Sequence, residues 1–335
     1  MLQFTNTTPF AGMIYLIPDQ QGIDCLFTVV KATLTLGERL ALAEPQLPVV
    51  LADQFHGEPG KTSIKQPSDI SLTKPGSDVL LLGNAHAPGG RPTAAMDVTL
   101  AAGALRKTVR VFGDRVWERR GPTHIMSAPE PFETVPLVWE RAYGGVDQGK
   151  SELYGEARNP VGSGFRSKHG EKSLDGMRLP NLEDPNALIG SWKDAPPPAC
   201  FSPLSAHWEP RKSYAGTYDE QWQKQRAPFL PQDFDPRFCQ LAPPGLVAPR
   251  YLHAGTPVEV QGVTPSGALR FQLPPLRVEV TYLLDGAPQV EPANLDTIVI
   301  EPDQSRLVLV WRAAFRCDKK ALRINEVQPA VLKAA

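Results

Sequence analysis

The chain has 335 residues, 41% of them hydrophobic and 21% charged, which is the make-up of a folded protein with room for one large core or two modest ones. A net charge of −1 excludes bulk electrostatic attraction to nucleic acid or to an anionic membrane. No apolar run approaches the roughly 20 residues that a membrane-spanning helix needs.

The opening residues Met1-Leu2-Gln3-Phe4-Thr5-Asn6 lack the basic start and apolar run of a secretory signal, which predicts a cytoplasmic protein. Cys25, Cys200, Cys239 and Cys317 lie far apart with no paired spacing, so in a reducing compartment they read as small buried apolar residues. Proline is the unusual component: 35 residues, about twice its usual share of roughly 5%. Proline removes a backbone donor and breaks helix interiors, so the fold is predicted to be mainly β, with strands joined by many fixed turns.

Three parts follow in chain order. Residues 1–120 read as strands. From Leu26 to Leu36, Leu26, Val30, Ala32, Leu34 and Leu36 share one face, while Phe27 and Val29 give way to Lys31, Thr33 and Thr35 on the other. A period of two predicts a strand with one buried face. Met96 to Leu100, Gly103 and Leu105 to Val111 predict a hairpin.

Residues 121–250 hold 18 of the 35 prolines, four of the six tryptophans and four of the seven tyrosines. A disordered linker would share the proline but not the aromatics, which need burial. The prediction is an ordered, loop-rich region with short helices, laid over the strands. Thr217-Tyr218-Asp219-Glu220 has the pattern of a capping box, and Pro228 would stop the helix after two to three turns.

Residues 251–335 read as an antiparallel meander, with sandwich-like or barrel-like sheets as the expected architecture. Val258 to Val263 meets a turn at Thr264-Pro265-Ser266-Gly267, followed by Ala268 to Leu273. Arg277 to Leu284 precedes the hairpin pair Asp285-Gly286. Thr297 to Ile300 and then Leu307 to Phe315 complete the set; the last is apolar on both faces and is predicted to be central. The tail beyond Val327 is expected to fray.

The sharpest enzyme signal is Gly144-Gly145-Val146-Asp147-Gln148-Gly149-Lys150-Ser151, which fits the spacing of a phosphate-binding loop. That loop works only between a buried strand and a helix N-terminus. Here Trp139 to Tyr143 is too polar for a buried parallel strand, and Gly155 and Asn159-Pro160 leave little room for a helix. Gly57-Glu58-Pro59-Gly60-Lys61-Thr62 is two residues too short and reads as a turn. The six histidines never fall at i, i+4 spacing or near a cysteine, so no metal or other cofactor is expected. Gly162-Ser163-Gly164 lacks the spacing of a nucleophile elbow. Glu140 with Arg141, and Asp233 with Asp235, read as loop-fixing charges rather than acid–base pairs.

What remains is density in Trp, Tyr and Arg, the residues enriched at interface hot spots. The candidates for partner contact are Trp139, Arg141, Tyr143, Phe165, Trp208, Arg211, Tyr214, Tyr218, Trp222 and Arg226. The competing use of these side chains is to pin a long loop region to the sheets.

Six strings occur in order: Gly113-Asp114-Arg115-Val116-Trp117, Pro136-Leu137-Val138-Trp139-Glu140-Arg141-Ala142-Tyr143-Gly144-Gly145, Asn159-Pro160-Val161-Gly162-Ser163-Gly164-Phe165, Leu179-Pro180-Asn181-Leu182-Glu183, Ala215-Gly216-Thr217-Tyr218-Asp219-Glu220-Gln221-Trp222 and Pro231-Gln232-Asp233-Phe234-Asp235. With Phe4-Thr5-Asn6-Thr7-Thr8-Pro9-Phe10 they resemble a bacterial domain-of-unknown-function family encoded beside type VI secretion spike and toxin genes. The resemblance implies a non-enzymatic effector adaptor or chaperone. Such a protein holds a toxin effector and helps mount it on the spike, through the valine-glycine-repeat trimer or its tip protein. It carries over no catalytic residue. Two places depart from the family pattern: Cys200-Phe201-Ser202-Pro203 stands where a glycine-rich string is expected, and Pro244-Gly245-Leu246 replaces an expected Pro-Asp-Gln. The alternative reading is a nucleotide-binding enzyme using the string Gly144 to Ser151.

Overall fold

A computed structural model describes residues 2–148, 153–167 and 174–333. The strands that organise it are β1 (Gln3–Phe4), β2 (Ala11–Pro18), β3 (Asp24–Thr35), β4 (Asp78–Leu81), β5 (Ala95–Ala102), β6 (Leu105–Phe112), β7 (Leu182–Glu183), β8 (Pro257–Gln261), β9 (Leu269–Gln272), β10 (Leu276–Leu284), β11 (Ala287–Glu301), β12 (Arg306–Arg316) and β13 (Ile324–Lys333).

The larger sheet runs β1-β13-β10-β11-β12-β3-β2, with β4 parallel beside β11 and the two-residue strand Ala41–Leu42 beside β3. Strands from the two ends of the chain therefore share one sheet: β3 pairs with β12 along nearly its whole length and with β2 from Asp24 to Lys31. The sheet nearly closes on itself. A Cβ added at Gly12 of β2 would meet the Phe4 ring of β1 at 3.0 Å and the Asn6 amide at 3.2 Å. Inside the curve, Leu26, Val280, Ala313 and Val327 pack together, and Tyr282 stacks on Phe315 at 4.8 Å. The phenol of Tyr282 meets the Thr28 hydroxyl at 2.9 Å, so its polar end is satisfied.

The smaller sheet runs β7-β6-β5-β8-β9. It contains two of the three expected hairpins, β5–β6 around Gly103 and β8–β9 around Thr264 to Gly267, while the third, at Asp285-Gly286, joins β10 to β11 in the larger sheet. Val98, Val109 and Val260 from this sheet share one core with Leu80, Ile298 and Leu309 from the larger one.

Three expectations are corrected. First, β3 is buried on both faces, not one. Lys31 goes inside because its ammonium donates to Asp69 Oδ2 at 2.8 Å, which offsets the cost of burying the charge. Second, the tail stays paired as far as Lys333. β13 pairs with β10 along its length and takes β1 as a parallel neighbour. Ile324 and Val327 are buried in the interior of the curve, and the Pro329 carbonyl accepts from the Thr7 hydroxyl at 2.7 Å. Third, the middle-region helix α1 (Glu220–Gln225) is six residues long and is capped by Asp219, whose side chain accepts from the Trp222 N–H. The Thr217 hydroxyl instead donates to Asp233 at 2.7 Å.

The middle region is tied to the sheets by buried charge. Asp78 of β4 accepts from the Lys74 ammonium at 2.8 Å and from the Leu241 N–H at 2.8 Å, with all three buried. That carboxylate joins the edge of the large sheet to the loop after residue 239. Among the described residues no helix is long and apolar enough to cross a membrane.

Candidate partner-binding surface

The ten aromatic and arginine candidates divide sharply. Trp139 and Trp208 are 2% and 4% exposed and meet edge to face at 6.0 Å. The Trp139 indole donates to the Ser202 and Pro203 carbonyls at 3.0 and 3.1 Å. Tyr143 is buried with Trp117 and Leu179, Phe165 packs on that cluster, and burial pushes the Tyr143 phenol pKa up. Arg211 is buried too. It donates to the Leu204 and Phe238 carbonyls, lies over the Phe238 ring at 5.3 Å, and burial pulls its pKa down. Arg141 reaches Asp114 and Asn181, and Tyr214 lies beneath the Arg237 guanidinium at 4.3 Å. Trp139, Tyr143, Trp208 and Arg211 thus hold loops together and offer no face to a partner.

The pairs weighed as acid–base groups are also loop anchors. Glu140 accepts from the Ser63 N–H and hydroxyl at 2.6 and 2.7 Å. Asp233 takes the Thr217 N–H and hydroxyl, and Asp235 pairs with Arg237. The four cysteines are buried, and burial pushes the Cys200 thiol up to about 11.

In the phosphate-loop-like string, Tyr143–Gly144 pairs in parallel with Ser163–Gly164, and Val146–Gln148 pairs with Leu153–Gly155. A Cβ at Gly144 would stand 2.1 Å from the Asn159 carbonyl oxygen, so a close crossing of two chain segments accounts for this glycine. Lys150 and Ser151 lie outside the described residues. Among the described residues no cluster of His, Cys, Asp and Glu could hold a metal ion.

Tyr218, Trp222 and Arg226 come together on a small lobe over residues 217–230. The Tyr218 and Trp222 rings meet at 4.7 Å. The Trp222 indole donates to the Phe229 carbonyl at 2.8 Å, and Arg226 donates to the Leu230 carbonyl at 2.8 Å and to the Gln20 carbonyl. These bonds fix the lobe from within while Tyr218 stays 54% exposed and Phe229 37% exposed. Phe229 was not among the sequence candidates; it follows Pro228 in a segment without periodicity, so no pattern marked it.

The lobe sits on the turn between β2 and β3. The Phe229 ring stands 3.2 Å from where a Cβ of Gly22 would be, and φ there is +81°. The backbone there favours glycine, and a Cβ would press on the Phe229 ring. The Gln20 amide of the same turn donates to the Phe234 carbonyl at 2.6 Å. Beside this turn opens a cavity of about 430 Å³, reached by Asp19, Gln20, Phe234, Glu291 and Arg316. Arg316 pairs with Asp19 at 3.0 Å across its rim. A larger cavity of about 530 Å³ lies elsewhere, lined by polar side chains such as His56, Lys65 and Asn84. Of the nominated aromatics among the described residues, Tyr218 alone is more than half exposed, and its lobe stands beside this recess.

Residues 21–312 match the sequence profile of a family described as "uncharacterized protein conserved in bacteria (DUF2169)", and the chain belongs to that family. No curated protein and no solved structure is similar enough to match.

Proposed function

We propose that this member of the DUF2169 family is a non-enzymatic, cytoplasmic adaptor that binds a toxin effector and helps load it onto a type VI secretion spike. The sequence resemblance supplies the class of partner. The observation that carries the reading is the lobe of Tyr218, Trp222 and Phe229, in which Tyr218 and Phe229 are exposed, Trp222 is half-buried, and hydrogen bonds within the lobe hold it together. Rigid aromatics lose little conformational freedom on binding, which is why they dominate contact energy at protein interfaces.

The spike trimer or its tip protein is the second partner in this reading. The test is co-purification of the full chain with the product of the neighbouring toxin gene, together with toxin loading in a deletion strain. Capture of the toxin and loss of loading are expected. Normal loading without the protein would overturn the reading.

A further inference from the structure

We propose that the cleft beside β12 receives an extended segment of the bound effector as an added β-strand, with a basic side chain of that segment facing Glu291. This rests on the adaptor reading above.

The first observation is a strand edge with no neighbour. β11 pairs with β12 from Glu301 opposite Arg306 to Asn294 opposite Arg312, with a bulge between Leu295 and Thr297. From Ala293 backward it pairs with β10 instead. Among the described residues, therefore, no strand pairs with that side of Ala313 to Arg316, while β3 pairs with the other side throughout.

The register says which groups are free. The Cys317 N–H donates to the Asp24 carbonyl at 3.0 Å. Hydrogen-bonded and non-bonded pairs alternate along an antiparallel ladder. Ala313 and Phe315 thus bond to β3, and Ala314 and Arg316 turn their N–H and C=O groups the other way. Unpaired edges of this kind template the addition of a strand.

The second observation is that the space is there. Ala314 and Arg316 line the cavity of about 430 Å³, and Glu291, Pro292 and Asn294 of β11 line it from the opposite side. The departing half of β11 carries Pro288 and Pro292, which cannot donate, so the margin of β12 is the better template.

Charge selects the occupant. Arg316 is neutralised by Asp19 and Arg312 by Asp296, whereas Glu291 has no charged partner among the described residues. The charged side chains of the lining itself balance, but with Arg312 neutralised from behind by Asp296 the cleft carries one negative charge in excess, that of Glu291, which matches a lysine or arginine on the incoming strand. The aromatic lobe rests on the Asp19 to Gly22 turn at the rim, so one segment can engage cleft and lobe together.

Amide hydrogen exchange on the full chain, free and with the co-purified effector, reads this at single residues. The Ala314 and Arg316 amides are expected to exchange quickly in the free protein and about tenfold or more slowly in the complex. Ala313 and Phe315, already bonded to β3, should change little. Bound effector with unchanged exchange at Ala314 and Arg316 overturns the added strand and leaves the adaptor reading standing. Failure to bind any effector removes both.

Ala314→Pro deletes the cleft-facing donor and should cut effector capture about tenfold. Glu291→Lys, on an accessible side chain, should do the same by placing like charges together. Undiminished capture by Glu291→Lys overturns the proposal whether or not the proline variant folds.

Discussion

Trp139 and Trp222 belong to the same proline-rich stretch of sequence and end in opposite roles. The Trp139 indole donates inward, to carbonyls of Ser202 and Pro203, and its ring is shut against Trp208. The Trp222 indole donates to the carbonyl of Phe229 within its own lobe, and its ring neighbour Tyr218 faces solvent. Both rings are fixed, but Trp139 is fully covered and Trp222 only in part. Aromatic density in a loop region therefore does not separate anchor from interface; where the indole N–H finds its acceptor does.

The largest effect should come from breaking the anchor. Trp139→Ala empties a buried site between two segments and should cost about 3–5 kcal/mol of stability, measured by denaturant unfolding. Trp222→Ala in the lobe should cost about 1 kcal/mol or less by the same measurement. Equal losses would erase the distinction between the two regions.

A smaller effect is expected from pH. The N–H and hydroxyl of Thr217 hold the Asp233 carboxyl below its ordinary value of 3.8. A depressed carboxyl contributes its support above the unfolded value and loses it as pH falls through the folded one. The clasp at the start of the lobe should therefore be intact at neutral pH and open only below pH 3.8, seen as a step in Trp222 fluorescence. Asp235, held down by Arg237, titrates nearby, so the step should be attributed by its loss in Asp233→Asn.

Much of the fold was legible because turns announce themselves. Gly103, Thr264 to Gly267 and Asp285-Gly286 each sit between alternating strands, and each is a hairpin. The two-sided apolar run of β12 marked it as central, and it lies between β11 and β3. β13 was missed because Pro329 reads as a stop, yet strand pairing with β10 continues through it. Buried Lys31 was missed because its counter-charge, Asp69, is 38 residues away. Long-range partners leave no local pattern.

The candidate surface was legible only in part, for the same reason. Tyr218, Trp222 and Arg226 stood out as a cluster of residue types suited to interfaces. The cleft did not, because it is built by Asp19, Glu291 and Arg316, residues that only strand register brings together. The capping pattern at Thr217 pointed to the right place with the wrong residue: Asp219 takes the cap, and Thr217 is held by Asp233.

The central claim is that the exposed lobe, and not the buried aromatics, meets the partner. The most direct measurement is the affinity of the neighbouring toxin for the full chain and for a Tyr218→Ala, Trp222→Ala double variant, with unfolding measured in parallel. The account predicts a loss of about 2 kcal/mol or more in binding, roughly thirtyfold in affinity, while the fold is retained. A folded double variant that binds the toxin as tightly as the parent chain would contradict it.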